Sequence, residues 1–258
     1  MVMPECPVEK GASSDAQDTM MSRNWQDQGA SVIEQATKAY LNVGLSGLRC
    51  ITSALAGGIN ESPGSILDFG CGWGRVARWL KAAYPLAHIE GCDIDIGGIE
   101  FVASELDVKT WKSAIDPSEL RPEISYDLIW VGSVITHLTE VDSTKLIEKL
   151  FSFLNKNGVL VLSTHGRHVQ DAFDNGRYKG HPSEPYYAAA VAEYKATGYG
   201  YCSYKNQTNY GLSIIRPAWF FDWASKDRSR RVVSYIEKGW NQHHDVFAVQ
   251  KVTPRRWS

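Results

Sequence analysis

Short apolar runs alternate with helical stretches through the middle of this 258-residue sequence, and this alternation constrains the fold more than any other feature. Four runs are typical of buried strands: residues 65–69, 88–92, 126–132 and 159–164. Three intervening stretches have helical spacing: residues 75–83, 98–105 and 143–154. A weaker run at residues 108–112 supplies a further strand. Strands that alternate with helices imply right-handed crossovers, so we expect a doubly wound α/β fold with a mainly parallel sheet.

The segments on either side of this core (residues 63–166) have different patterns. Residues 1–30 carry little periodic apolar content and are expected to form a flexible tail. Residues 31–62 open with a capping-box pattern and continue as an apolar helical repeat. Residues 167–216 are rich in Gly, Tyr and Asn, and are expected to form a long irregular insertion that acts as a lid or acceptor loop. Residues 217–258 predict a helix and an antiparallel strand pair that closes the sheet edge.

Composition excludes several classes of partner. A formal net charge of −2 provides no overall attraction to nucleic acid or to anionic lipid. The basic cluster at residues 226–231 also contains an aspartate and a serine, so we interpret it as a solvated helix end. Five widely spaced cysteines without a CxxC pair argue against a disulfide framework and a zinc site. Since no run approaches the roughly 18 apolar residues of a membrane span, we expect a cytoplasmic protein without nucleic-acid or membrane partners.

The first strand runs directly into a glycine turn at residues 70–74, with the sequence GCGWG. Glycines there let the backbone approach a ligand closely, although similar turns also occur for structural reasons alone. A dinucleotide fingerprint starting at Gly70 needs a glycine where this chain has Arg75, which disfavours an NAD-dependent oxidoreductase. Asp68, just before the turn, would repel a phosphate but suits a positively charged amino group. The sequence therefore predicts a ligand that is not held by its phosphates.

Two later segments complete a candidate nucleoside site. Asp93 ends the second strand, where a carboxylate can accept hydrogen bonds from both hydroxyls of a ribose. Asp95 lies two residues further on and is better placed to cap the following helix. Ser113 and Ala114 follow the third strand, where an adenine edge would lie, since Ser113 can hydrogen-bond and Ala114 can pack flat.

Taken together, these blocks resemble class I methyltransferases that use S-adenosylmethionine (SAM), and within them a bacterial group associated with surface-glycan or secondary-metabolite biosynthesis. The glycine block and the fourth-strand block are specific to the superfamily. The resemblance rests on residues 40–44, 67–76, 126–133, 136–138, 164–166 and 240–246.

The resemblance implies a seven-stranded sheet, with six parallel strands and one antiparallel strand, in a single domain at residues 31–258. It implies SAM as cofactor and methyl transfer to a hydroxyl or amine of a small molecule, with sugars and glycans among the candidate acceptors. The alternative is a non-catalytic partner protein that binds SAM or a nucleoside. The expected cofactor-binding residues are Asp68, Gly70, Cys71, Gly72, Gly74, Asp93, Ile94, Ser113, Ala114, Gly132 and Ser133.

Two histidines are candidate general bases. His137 and His165 each follow the carboxyl end of a core strand, where ligands bind in such sheets, and imidazole is suited to proton transfer near neutral pH. The alternative for His137 is a hydrogen bond to a loop. His243 and His244 are adjacent, and adjacent strand residues point to opposite faces, so we predict a structural role for them and no metal site.

Aromatic residues with polar edges predict an acceptor pocket closed by the insertion, because such side chains suit sugars and other ring-bearing acceptors. Core packing is the alternative for Tyr40 and Trp240. The candidate substrate-binding residues are Tyr40, Tyr201, Tyr210 and Trp240.

Overall fold

The computed structural model describes residues 30–58, 61–207 and 209–254. Its strands are β1 (Ser65–Phe69), β2 (His88–Asp93), β3 (Lys109–Lys112), β4 (Tyr126–Val131), β5 (Leu154–Thr164), β6 (Tyr199–Ser203), β7 (Gly211–Ile215), β8 (Arg230–Trp240) and β9 (His244–Lys251). Its α-helices are α1 (Ala30–Ala56), α2 (Ala77–Ala83), α3 (Ile96–Leu106), α4 (Glu140–Ser152), α5 (Arg167–Asp174), α6 (Glu184–Thr197) and α7 (Pro217–Ser225). Among these helices, none combines the length and the apolar character needed to cross a membrane. The predicted N-terminal tail lies outside the described residues except for Ala30, and so does the side chain of Ser31, which opens the predicted capping box.

The central sheet has seven strands in the order β3-β2-β1-β4-β5-β9-β8. Strands β1 to β5 pair in parallel, whereas β9 is antiparallel to both of its neighbours, β5 and β8. Six strands therefore run one way and β9 runs the other, which confirms the predicted α/β fold class. Strand order reverses direction between β1 and β4, and ligands bind at this kind of switch point in doubly wound sheets.

Strand alternation builds two separate apolar layers, one on each face of the sheet. In β4, Leu128 and Trp130 belong to the layer that packs against α1, α2 and α3. Ile129 and Val131 point the other way and belong to the layer that packs against α4 and α7. Because both faces are covered, the four consecutive residues of β4 from Leu128 to Val131 are all apolar, as is common in parallel strands.

Helix α1 packs closely against the turn that follows β1. A Cβ atom added at Gly44 would lie 2.2 Å from the carbonyl oxygen of Arg75 and 2.6 Å from the indole of Trp79. The Trp79 indole nitrogen also donates a hydrogen bond to the carbonyl oxygen of Leu41, at 3.1 Å. Glycine at position 44 thus lets α1 pack directly against the segment that follows the glycine turn.

The segment at residues 167–216 is not the irregular loop that its composition suggested. It forms α5, α6 and the antiparallel hairpin β6–β7, which enclose a small apolar cluster of their own around Val169, Tyr194 and Ile214. The N–H group of Ile215 donates a hydrogen bond to the carbonyl oxygen of His165, at 2.8 Å, which ties the hairpin to the end of β5. The insertion is therefore a packed subdomain seated on the carboxyl edge of the sheet.

The basic cluster at residues 226–231 is not simply a solvated helix end. The Arg230 side chain is only 8% exposed and forms an ion pair with Glu148 of α4, at 2.6 Å. Its guanidinium also lies 4.3 Å from the ring centre of Trp223. Arg230 therefore joins α7 and β8 to α4 and is unavailable to a polyanion.

Candidate active site

The glycine turn after β1 has the backbone conformation that its sequence predicts. Gly70, Gly72 and Gly74 have φ angles of +74°, +49° and +76°, a region that side chains disfavour. The N–H groups of Gly70 and Cys71 both donate to the carbonyl oxygen of Cys92, at 2.8 and 3.1 Å, so the turn is fixed against the end of β2.

The three glycines serve different purposes. A Cβ atom at Gly70 would lie 2.3 Å from a methyl carbon of Val134, and one at Gly74 would lie 2.5 Å from Leu106. Glycine is therefore needed at these two positions because neighbouring side chains pack against the backbone. A Cβ atom at Gly72 would meet nothing within 4 Å among the described residues. Gly72 thus faces open space, where its backbone can approach a ligand.

A small cavity of about 130 Å³ lies against this turn. Asp68 lines it and is 2% exposed, and its Oδ2 atom has no hydrogen-bond partner among the described residues. Burial raises the pKa of Asp68 to about 7, with a smaller contribution from the negative charge of Asp93, against the lowering effects of the Ala77 N–H group and Arg75. A buried carboxylate that lacks a hydrogen-bond donor is costly in free energy, and a cationic ligand at this atom would offset that cost.

Arg75 lines the same cavity as Asp68. Its guanidinium carbon lies 5.8 Å from the ring centre of Tyr40 and 5.3 Å from that of Trp240, both distances at which cation–π attraction operates. A carboxylate and a guanidinium in one cavity can receive the ammonium and the carboxylate of an amino acid together.

A larger cleft of about 760 Å³ opens beside the small cavity. Gly70 and Gly132 line both spaces, so the two meet at the ends of β1 and β4. Predicted site residues along the larger cleft are Gly70, Asp93, Ile94, Ser113, Ala114, Gly132, Ser133, His137 and Tyr210. The sheet thus brings most of the predicted residues to one continuous depression.

Asp93 holds the glycine turn and the next loop in place. Its Oδ2 atom accepts a hydrogen bond from the N–H group of Gly72 at 2.8 Å, and its Oδ1 atom accepts one from the N–H group of Asp95 at 2.9 Å. Each oxygen retains a second lone pair that can face the cleft. Asp95 occupies the predicted cap position of α3 but makes no side-chain cap bond; its carboxylate accepts from the Trp73 indole, at 3.2 Å.

Ser133 occupies a strained position at the floor of the cleft. Its φ angle is +60°, which is uncommon for a residue other than glycine, and its N–H group donates to the hydroxyl oxygen of Ser163, at 2.8 Å. Its own hydroxyl contacts that of Thr136, at 3.2 Å. Strain of this kind persists only where the surroundings fix it, and it concentrates at binding and active sites.

His137 lines the cleft. Its Nδ1 atom lies 2.8 Å from the carbonyl oxygen of Gly211. Since a carbonyl oxygen only accepts, Nδ1 carries the hydrogen and Nε2 keeps a lone pair. The ring stacks on Tyr210 with 4.6 Å between centres, and burial lowers the pKa of His137 below its usual value of 6.5. The imidazole is therefore neutral at pH 7 and able to take up a proton.

Comparison with known proteins assigns this architecture. A family model described as a methyltransferase domain matches residues 48–212, which is more than half of the chain. The chain belongs to the class I SAM-dependent methyltransferases. The match includes the glycine turn at residues 70–74, strand β4 and most of the insertion at residues 167–216.

Individual relatives of this methyltransferase are distant. A malonyl-[acyl-carrier protein] O-methyltransferase of Anoxybacillus flavithermus is 37% identical over 116 residues, 44% of this chain and 43% of that protein, so the match spans less than half of the relative's length. A phosphoethanolamine N-methyltransferase of Plasmodium falciparum is 26% identical over 76% of this chain and 74% of its own. Among solved structures, the plantazolicin methyltransferase BpumL in complex with SAH and a substrate analogue superposes with a TM-score of 0.57 and 15% identity, covering 92% of this chain and 96% of that one, which supports the fold.

Several predicted residues of the methyltransferase do not lie where the sequence placed them. Tyr40 and Trp240 line the small cavity, not the larger cleft, and each donates a polar hydrogen to a backbone carbonyl, of Trp73 at 3.4 Å and of Val43 at 2.9 Å. These two rings therefore pack in the core and also form part of the wall of the small cavity. Cys71 lines the same small cavity. Gly74 packs against α3 and lines neither space.

Tyr201 lies in β6, outside the residues that line either cavity, and its hydroxyl accepts a hydrogen bond from Ser203, at 3.2 Å. Alternation along the hairpin turns its ring onto the apolar layer beside α4 and α7. Tyr210, by contrast, lies on the large cleft as predicted.

His165 is not on the cleft either. Its ring is 6% exposed, and its Nδ1 atom lies 3.0 Å from the carbonyl oxygen of Ser213, so the hairpin covers it. Burial, with smaller effects from His243 and His137, lowers the pKa of His165 to about 3. Both histidines follow a core strand, but only His137 lines the cleft, because the packed insertion covers the end of β5.

The prediction that His243 and His244 point to opposite faces was wrong. His243 lies in the turn before β9, where Asn241 and Gln242 adopt φ angles of +52° and +53°, so strand alternation does not apply. Both rings approach His165, with centres 5.3 and 4.8 Å away.

Some residues that line the cleft have no distinctive sequence pattern and could not be predicted. Arg75 had a signal, since a cation directly after the glycine turn can face the same ligand as Asp68, but it served only to exclude a dinucleotide. The remaining polar residues on the cleft come from the segment after β3, from α4 and from the insertion, and nothing in their spacing marks them: Asp116, Asp142, Lys145, Gln207 and Asn209.

Proposed function

We propose that this chain transfers a methyl group from SAM to a hydroxyl or amine of a small molecule, with sugars and glycans among the acceptors. The observation that carries the proposal is the unpartnered, buried Oδ2 atom of Asp68, which shares a cavity with Arg75 and lies beside the open backbone of Gly72. This combination suits the amino-acid end of SAM and does not suit a phosphate.

Each part of the cofactor has a matching group in the proposal. Asp68 binds the ammonium and Arg75 the carboxylate in the small cavity. Asp93 binds the ribose hydroxyls, while Ile94, Ser113 and Ala114 flank the adenine along the cleft. Gly132 and Ser133, where the two spaces meet, lie beneath the sulfonium.

When bound, SAM supplies an activated methyl group that is open to in-line attack. The protein has to align the acceptor, exclude water and remove a proton. His137 is the proposed base, because it lines the cleft, its Nε2 atom keeps a lone pair, and its ring is fixed by the Gly211 carbonyl and by Tyr210.

The acceptor is proposed to bind in the outer part of the larger cleft. Its lining combines an aromatic ring, two amides and both signs of charge: Tyr210, Gln207, Asn209, Asp142 and Lys145. Such a lining suits a polar, hydroxyl-bearing ring, because the ring face can stack while the amides bind its edges. The relatives whose names specify acyl-carrier and phosphoethanolamine acceptors match too little, or too weakly, to carry their substrates over.

Calorimetry with SAM, S-adenosylhomocysteine and NAD tests the cofactor. We expect micromolar one-to-one binding of the first two and no heat from NAD. Transfer of a tritiated methyl group from SAM to panels of sugars, polyphenols and amines then tests catalysis. Micromolar NAD binding without SAM binding would contradict the proposal, and SAM binding without any acceptor would favour a non-catalytic binding protein.

Tyr210 and Tyr201 form a matched pair for testing the acceptor cleft. We expect Tyr210→Leu to raise the acceptor KM about fivefold, because a lost aromatic contact is worth roughly 1 kcal/mol. Tyr201→Leu, one strand away and off the cleft, should leave KM within about twofold. Steady-state kinetics with the acceptor found above provide the measurement, and an equal effect in both variants would place the acceptor elsewhere.

A further inference from the structure

Three histidines converge beside the carboxyl end of β5. His165 follows that strand directly, and His243 and His244 come from the turn between β8 and β9. The ligand nitrogens of the three rings all lie within 4.8 Å of one another. Two segments that are about 80 residues apart in sequence thus contribute to one compact cluster.

The spacing is close to that of a bound metal ion. Nitrogen–zinc bonds are about 2.0–2.1 Å long, so two nitrogens on a tetrahedral zinc ion are roughly 3.4 Å apart. Small rotations of the partly exposed His243 and His244 side chains would close the remaining gap. Because these two side chains are partly exposed, an ion can reach the cluster from solvent on their side.

The rings also have the outer hydrogen bonds that metal-binding histidines require. The Nδ1 atom of His165 donates to the Ser213 carbonyl, at 3.0 Å, which leaves Nε2 as the ligand. The Nδ1 atom of His244 contacts the hydroxyl of Ser163, at 3.2 Å.

The ligand type selects the class of ion. Asp245, which follows His244 in sequence, already accepts hydrogen bonds from the Tyr235 hydroxyl, at 2.7 Å, and from the Lys238 N–H group, at 2.9 Å, and no carboxylate among the described residues belongs to the cluster. The set is therefore all imidazole, which suits zinc and its neighbours in the first transition series and does not suit magnesium or calcium.

We propose that His165, His243 and His244 form a binding site for one divalent transition-metal ion of the zinc class. The ion joins the end of β5 to the β8–β9 turn and leaves a fourth position for water. Ser163 connects the site to the cleft, because its hydroxyl contacts both the His244 ring and the N–H group of Ser133. This inference does not depend on the proposed methyl transfer.

The test uses the full-length chain without a histidine tag, freed of metal by a chelator. Titration with Zn²⁺ against a chromophoric chelator, and with Co²⁺ by visible absorption, should give one equivalent per chain. His243→Ala should weaken Zn²⁺ binding by about tenfold or more. His243→Asp, which supplies an oxygen ligand, should recover part of the affinity, and His181→Ala, at an exposed histidine outside the cluster, should match the parent.

Wild-type affinity in His243→Ala, or binding of less than half an equivalent by the parent, would overturn the site. Circular dichroism of each variant in chelator establishes whether it is folded. If His243→Ala fails to fold, the Co²⁺ spectrum of the parent decides: intense visible absorption bands report low-coordinate nitrogen ligation, and their absence rejects the proposal.

Discussion

Asp68→Asn is expected to weaken SAM binding by about a hundredfold or more while making the ligand-free protein more stable. The substitution keeps the shape of the side chain but removes the charge proposed to pair with the ammonium, and loss of one partner of a buried pair costs roughly 3 kcal/mol. Binding calorimetry measures the effect. Asp222→Asn, at an exposed position on α7, is the matched control and should bind SAM as the parent does.

The gain in stability follows from the raised pKa of Asp68. Its value of about 7 in the folded chain, against 3.8 for an ordinary aspartate, means that ionisation opposes folding. The penalty is absent below pH 4, grows between pH 4 and 7, and reaches on the order of 4 kcal/mol above pH 7. An unpaired buried amide costs roughly 2 kcal/mol of its own, so a net gain of about 2 kcal/mol is expected at pH 8.

Urea unfolding of the ligand-free protein and of Asp68→Asn at pH 5 and pH 8 would measure this difference. The same carboxyl gives SAM binding a pH dependence: below pH 7 the ammonium must displace a proton from Asp68, so affinity should fall by about tenfold per pH unit. Asp68→Asn should show no such slope. If SAM affinity had the same pH dependence in both proteins, Asp68 would not be part of the cofactor site.

His137→Asn is expected to lower kcat by about 10²- to 10⁴-fold, which is the usual contribution of a general base. Asparagine keeps a donor near the position of Nδ1, so the hydrogen bond to the Gly211 carbonyl can persist while Nε2 is lost. SAM affinity should stay within about threefold of the parent. Single-turnover kinetics with the acceptor identified above separate the chemical step from binding.

His88→Asn is the control for that experiment, because His88 begins β2 at the opposite edge of the sheet and contacts Glu90. Burial lowers the pKa of His137, so the acid limb of the rate profile should lie below pH 6.5, with the rate rising as pH increases through it. An unchanged single-turnover rate in His137→Asn would assign proton removal to another group or to water.

Most of the sheet could be predicted because its information is local. Strands such as β1 and β4 are short apolar runs bounded by glycine or a polar turn, and each is followed by a helix with a clear period. The insertion could not be predicted in this way. Tyr194 and Ile214 become buried only when α6 and the β6–β7 hairpin meet, and glycine-rich and tyrosine-rich sequence conceals that long-range pairing.

The candidate site divides along the same line. The position of Asp68 before the glycine turn indicated its proposed partner, and its unpartnered atom in the folded chain supports that hypothesis. The histidines needed three-dimensional information. His165 and His137 have equivalent positions after core strands, yet the hairpin covers one and leaves the other beside the cleft. His243 and His244 were misjudged because positive φ angles in the preceding turn abolish strand alternation.

The hydrogen bond between His137 and the Gly211 carbonyl joins the proposed base to the hairpin that also carries Tyr210. A change of acceptor preference made by grafting a different insertion would therefore alter the orientation of the base as well. Chimeras that exchange only residues 205–209, and keep Tyr210 and the β7 backbone from Gly211 onward, should be able to change selectivity while preserving turnover. Evolution within this architecture faces the same coupling, so acceptor range and catalytic rate are expected to vary together when β7 shifts.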